Sequence, residues 1–211
     1  MAKRKLLKLE YMVTLFVMIA VILIIIPVDI ESTVQANFIS RWNDKFARLE
    51  YMFDVITTHE KDEILKSFKR AQNAEERETI LINLIEPYFR IHKEKLSKRY
   101  TVKYLNKNKV PLTDKYYFED LYFSENGMIV GIKDIDCKKS DGPAFMMMFD
   151  INGILPPNTW GRDIYGADIK DGSIEPFGAD LSMDELKKDC SESGTGLGCS
   201  YYYNIGGGFD D

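Results

Sequence analysis

Polar positions almost vanish between Tyr11 and Val28: the run YMVTLFVMIAVILIIIPV carries no charge over eighteen residues. A helix rising 1.5 Å per residue covers about 27 Å over that length, close to the hydrocarbon thickness of a bilayer. The pattern predicts a transmembrane helix over 11–28. Apolar residues then return at Val34, Phe38, Trp42, Phe46, Leu49, Phe53 and Ile56, in steps of three and four that mark one stripe of a helix. No Gly breaks the stretch, so the pattern reads as one long helix from about Leu6 to His59, bent at Pro27. Its first half would lie in lipid and its second half, 29–59, would lay an aromatic face on a folded domain. A separate amphipathic helix after a loop at Asp29 to Thr33 is the alternative, with the same topology.

Two more helical patterns follow. One runs from Glu60 to Gln72, with Ile64, Leu65 and Phe68; the other runs from Glu75 to Lys98, bent or divided at Pro87, which has no N–H to donate. After Arg99 the period shortens to that of strands. Leu121-Tyr122-Phe123 and Met128-Ile129-Val130 flank Ser124-Glu125-Asn126-Gly127, and Asn-Gly in that setting is a hairpin signal. A third strand covers Ala144 to Phe149. A second hairpin joins Tyr165–Ile169 to Ile174-Glu175 around Lys170-Asp171-Gly172-Ser173. The Gly-rich, acidic stretch 178–211 holds one short helix near Ser182 to Lys188. Helices first and a small antiparallel sheet after them give an α+β fold, with an outer domain over 60–211.

Charge sets the topology. The chain has 28 Lys plus Arg against 33 Asp plus Glu, a net charge of -5. Residues 1–10 carry Lys3, Arg4, Lys5 and Lys8 against Glu10, whereas Asp163 to Asp211 hold eleven acids and three bases. Cations before the apolar run, with Asp29 and Glu31 after it, place residues 1–10 in the cytoplasm and the rest outside as a single-pass protein. Removal of the run as a secretory signal after Val34-Gln35-Ala36 is the rival reading, with its cut ten residues beyond Ile26. The acidic bulk excludes a nucleic-acid binder, because phosphate neutralisation needs a basic face.

The residue types of metal and nucleophilic catalysis are scarce: two His and three Cys, with no Ser/His/Asp or Cys/His pattern. His59 and His92 sit in charged helical stretches and read as solvated. Outside the cytoplasm three Cys imply one disulfide and one thiol left over. Cys190 and Cys199 enclose eight flexible residues and would staple the tail, leaving Cys137; pairing of Cys137 with either partner stays open. Asp150-x-Asn152-Gly153, with Asp163 and Asp168 nearby, offers oxygen ligands of the type Ca²⁺ takes, although its spacing is not that of an EF-hand. An Asx-Gly turn accounts for the same residues without a metal. Met146-Met147-Met148 reads as a buried strand rather than a copper site, since adjacent strand residues face opposite ways. Gly194-Thr195-Gly196-Leu197-Gly198 lacks the Lys-Ser/Thr of a nucleotide loop and falls inside the Cys190–Cys199 loop. Tyr201-Tyr202-Tyr203 reads as edge-strand packing.

A basic leader, an apolar helix with an amphipathic continuation, a small sheet and a stapled tail together resemble a type IV pilin or type II secretion pseudopilin. With Leu6 as first mature residue, Glu10 takes the family's fifth position and Pro27 its twenty-second. Phe149-Asp150-Ile151-Asn152-Gly153, the stretch Pro157-Asn158-Thr159-Trp160-Gly161-Arg162-Asp163-Ile164-Tyr165-Gly166 and the Gly-Cys-Ser-Tyr-Tyr-Tyr of 198–203 are also similar to pilin-like sequences. The resemblance implies a non-enzymatic filament component, a minor pilin or pseudopilin held in membrane lipid. Other pilin-like subunits would be its partners, and Glu10 and Pro27 would serve in helix assembly. It also implies a role for Asp150, Asn152 and Asp163 as calcium ligands. The chain departs from the family at the processing site: Lys5 stands where the leader peptidase needs Gly, and Leu6 where the mature chain begins with Phe. A membrane-tethered ligand- or calcium-binding module that does not polymerise is the alternative.

Overall fold

The computed structural model describes residues 2–60, 66–67, 70–96, 100–134, 144–170 and 173–208, with 2–9, 23–31, 59–60 and 170 described in the backbone alone. The chain falls into two units, Met1–Asn37 and Phe38–Asp211. Helix α1 covers Ala2–Val55 and is followed by a π-helical turn, Ile56–Glu60. In the first unit every described side chain from Glu10 to Ile22 is exposed except that of Ala20, which is half-buried. Phe16 is 74% and Tyr11 71% exposed, so the apolar surface extends around the helix rather than along one stripe.

In the second unit the stripe of α1 is buried. Trp42, Phe46, Leu49 and Ile56 lie in the core with Met52, while Phe38 and Phe53 pack partly against it. Helix α2, Ala74–Phe89, starts at Asn73, whose side chain accepts from the Glu76 N–H at 2.9 Å. It buries Leu81, Ile82, Ile85 and Phe89.

The predicted continuation of this helix to Lys98 does not occur. Pro87 leaves one backbone carbonyl of the last turn without its usual donor, and Arg90 turns left-handed at φ 48° with its N–H closing on the Glu86 carbonyl at 2.8 Å. Ile91–Lys95 is strand β1 instead, with only Ile91 buried, and His92 is an exposed strand residue. Of the expected Glu60–Gln72 helix, Lys61–Leu65, Phe68 and Lys69 lie outside the described residues. His59's side chain, Cys137 and the Asp171-Gly172 turn lie outside them too.

The sheet is an antiparallel meander in chain order: β1, then β2 Asp120–Ser124, β3 Ile129–Asp134, β4 Phe145–Asp150, β5 Ile164–Lys170 and β6 Ser173–Pro176. The α+β class therefore holds. Both hairpins read from the sequence form, with Phe123 opposite Ile129 and Ile169 opposite Ile174. Strand β4 is buried along its whole length because both sheet faces are covered. Phe145, Met147 and Phe149 meet α1 and α2 in the main core, whereas Met146 and Met148 join Phe118, Leu121, Trp160 and Phe177 in a second cluster. Helix α3, Met183–Asp189, opens with a capping box between Ser182 and Glu185. Tyr201–Tyr203 belong to helix α4, Cys199–Asn204, rather than to an edge strand; Tyr202 and Tyr203 are buried in the main core.

Candidate functional site

Glu10 and Pro27 share helix α1, on which Glu10 is exposed and its carbonyl accepts from the Thr14 hydroxyl at 2.9 Å. Pro27 is described in the backbone alone. Among the described residues, no helix is long and apolar enough to cross a membrane; the side chains of Leu23–Val28 lie outside that description.

Asp150, Asn152 and Asp163 come together. Asp150 ends β4, Asp163 directly precedes β5, and the chain between them leaves and re-enters the sheet at adjacent strand ends. Both carboxylates are fully buried and have no ion-pair partner among the described residues. Asp150 accepts from the Tyr100 hydroxyl and from the Asn152 N–H at 3.2 Å. Asp163 accepts from the Asn158 N–H at 2.8 Å and the Thr159 N–H at 2.7 Å. Burial, then the charge of Asp163, pushes the Asp150 carboxyl up to about 8. Burial also raises Asp163, to about 6, against the pull of the Thr159 and Asn158 N–H groups. The pair therefore holds a proton at neutral pH, on Asp150 first, because Asp163 has the better-placed N–H donors for its charged form.

The buried carboxylate pair fixes the loop between the strands. Gly153 has φ +73°, and a Cβ there would lie 2.2 Å from the Gly127 carbonyl of the β2–β3 turn, so only Gly fits. The Oδ1 of Asn152 is buried with no hydrogen-bond partner among the described residues. Asp168 is not part of the group; it lies on β5 and pairs with Lys115 at 3.8 Å. Among the described residues, no three His, Cys, Asp or Glu side chains converge as metal ligands.

Cys190 and Cys199 are joined, with Cα atoms 5.3 Å apart. Asp189 organises the loop they close: its carboxylate accepts from the Thr195 N–H at 2.8 Å, the Thr195 hydroxyl at 2.7 Å and the Gly198 N–H at 2.8 Å. The loop then docks on the segment before β2 through the Leu105 N–H to Thr195 carbonyl bond at 2.8 Å and the Asn106 N–H to Gly194 carbonyl bond at 2.9 Å.

A groove of about 500 Å³ between α2 and the sheet was not foreseen from the sequence. Lys95 lies there between Glu78 and Asp120, 2.7 Å from each, and Tyr122 gives its hydroxyl to Glu78. Arg77 and Asp134 pair nearby at 2.6 Å. Reading Lys95 as helical concealed the groove, since only a strand puts Lys95 opposite Tyr122. Its lining holds four acids, Glu75, Glu78, Asp120 and Asp134, against two lysines, Lys93 and Lys95, with Lys95 bridging Glu78 and Asp120.

No family model, no curated protein and no solved structure matches the chain.

Proposed function

We propose that this chain is a non-enzymatic, membrane-anchored, pilin-like subunit, a minor pilin or pseudopilin, whose apolar helix sits in the bilayer and packs against the helices of other subunits. The observation that carries the reading is the contrast along α1. Its residues 11–22 expose apolar side chains all round, whereas from Trp42 onward the same helix buries one aromatic stripe under a sheet. Apolar surface of that extent calls for a cover, and lipid or neighbouring apolar helices supply it. The cations of residues 3–8 before it and the acids after it agree with an extracytoplasmic head. Glu10 is exposed on the same helix, and in this reading it meets a polar group of a neighbouring subunit at the membrane surface.

A cysteine scan over Met12 to Ile22 in the membrane-embedded full chain tests this. Crosslinked oligomers at positions three or four apart are expected; monomer at every position would remove the filament part of the reading.

The acid pair favours a second reading, a tethered module that takes Ca²⁺ on Asp150, Asn152 and Asp163. Two buried carboxylates without an ion-pair partner among the described residues, and the Asn152 Oδ1 with no hydrogen-bond partner among them, are oxygen donors of the right type. Their N–H and O–H donors compete for the same lone pairs, which makes the hydrogen-bonded pair without a metal the primary account. A rise in melting temperature on adding Ca²⁺, absent in D163N, would support the calcium reading.

A further inference from the structure

The sequence holds two Asn-Gly pairs, Asn126-Gly127 in the β2–β3 turn and Asn152-Gly153 just after β4. Asn is among the heat-labile residues, and a Gly after it, having no Cβ, leaves its backbone nitrogen open to the Asn side chain. The fold treats the two pairs differently. Asn126 and Gly127 are both exposed, and a Cβ at Gly127 would meet nothing within 4 Å, so a ring can close there without obstruction. The Asn126 Oδ1 accepts from the Met128 N–H at 3.3 Å, while its Nδ2 has no hydrogen-bond partner among the described residues. This bond folds Cγ back over the Gly127 nitrogen. It also sets an N–H at the oxygen that gathers negative charge when Cγ is attacked.

Asn152 is restrained by comparison. Its Nδ2 donates to the Pro156 carbonyl at 3.2 Å and its backbone N–H to Asp150 at 3.2 Å. The Gly153 N–H also lies on the Asp150 carboxylate, and Gly153 is buried against the Gly127 carbonyl.

We propose that Asn126 is a self-modification site, at which the Gly127 nitrogen closes an imide ring on Asn126 Cγ and water reopens it as aspartate or isoaspartate. The Gly127 N–H donates to the Ser124 carbonyl at 2.9 Å, and that bond opens first. Hydroxide then takes the proton, the nitrogen bonds to Cγ, the Cγ–Nδ2 bond breaks, and ammonia leaves with a proton from water. Water next adds to one of the two imide carbonyls. Breaking the ring at N–Cγ gives aspartate; breaking it between N and the Asn126 main-chain carbonyl carbon gives isoaspartate. The net change is one water consumed and one ammonia released, with no oxidation. Either product puts a second acid beside Glu125. Isoaspartate also adds one backbone atom ahead of Gly127, whose carbonyl lies against Gly153 of the β4–β5 loop.

The test holds the full chain in buffer at about pH 8.5 and follows both sites by peptide mapping, with isoaspartate methyltransferase marking the rearranged product. Asn126 should convert at least tenfold faster than Asn152 in the folded chain, and the two rates should converge in urea. G127A should slow conversion at Asn126 at least tenfold, since the added methyl group shields the nitrogen; the comparison with Asn152 needs no variant. Equal rates at the two sites in the folded chain, or faster conversion at Asn152, overturns the proposal. So does an intact Asn126 at the time a free peptide of the Ser124–Met128 sequence is half converted. A tenfold gap that persists in urea also overturns it, because the difference would then lie in the flanking sequence rather than in the turn, as does a G127A chain that converts as fast as the parent.

Discussion

Trp42 gives its indole N–H to the Ser200 carbonyl, 2.8 Å away and 158 positions along the chain. The same ring stacks on Tyr165 of β5 with centroids 5.4 Å apart, and the Ser200 hydroxyl accepts from the Gly166 N–H at 3.0 Å. One residue of α1 thus ties together the sheet and the disulfide-stapled tail. Trp42→Ala should destabilise the head by about 3–5 kcal/mol through the lost ring volume. Trp42→Phe keeps much of the packing but removes the buried indole-to-carbonyl hydrogen bond, a cost of about 0.5–1.5 kcal/mol. Urea unfolding followed by circular dichroism checks both, and a Phe variant as unstable as the Ala variant would show that the hydrogen bond is not separable from the packing.

The acid pair predicts a pH dependence opposite in sign to ordinary acid unfolding. Asp150 and Asp163 are raised in the folded chain to about 8 and about 6, above the usual carboxylate value of 3.8. Between the ordinary and the raised values the folded form holds protons that the unfolded form has released. The pair's contribution is therefore full below about pH 4 and is lost as pH rises to about 8. Melting temperatures measured from pH 5 to pH 8.5 should fall, and D150N, which keeps the shape without the titration, should flatten the slope.

Much of the head was legible in the sequence because its signals are local. The stripe from Trp42 to Ile56, the Asn126-Gly127 turn and the short helix near Ser182 to Lys188 each occupy neighbouring positions. Strand β1 was not legible. Of Ile-His-Lys-Glu-Lys only Ile91 is buried, and four polar residues in a row look the same on a solvated helix as on an edge strand. The candidate site was legible in half. Asp150-x-Asn152-Gly153 announces a turn, but Tyr100 reaches Asp150 from 50 positions away, and no local pattern encodes that meeting. The segment that covers the second sheet face, with Tyr100, Tyr104, Tyr116 and Phe118, has irregular spacing and carries no period to read.

Closing the Cys190–Cys199 loop should contribute on the order of 3 kcal/mol by limiting the unfolded tail. Reduction, or the C190S/C199S pair, should lower the melting temperature and expose the docked Gly194–Thr195 segment to protease. Asp189 keeps its three hydrogen bonds into the loop, so the sheet should survive the change; amide exchange can separate the tail from β3 and β4.

Gly153→Ala should destabilise the β4–β5 loop by about 1–3 kcal/mol, since φ +73° and a 2.2 Å approach to the Gly127 carbonyl leave no room for a methyl group. Gly127→Ala meets nothing within 4 Å and suffers only the positive φ of 82°. The first variant should be the less stable of the two in thermal unfolding; equal losses would mean that backbone conformation alone governs both sites.

The most direct measurement is the intact mass of the protein recovered from cells, taken separately on the membrane pellet after an alkaline carbonate wash and on the soluble fraction. A lipid-held, outward-facing head predicts that the protein stays in the pellet with a mass that includes Tyr11 to Val28. A soluble protein whose chain begins just after Ala36 would contradict the anchor and the filament together.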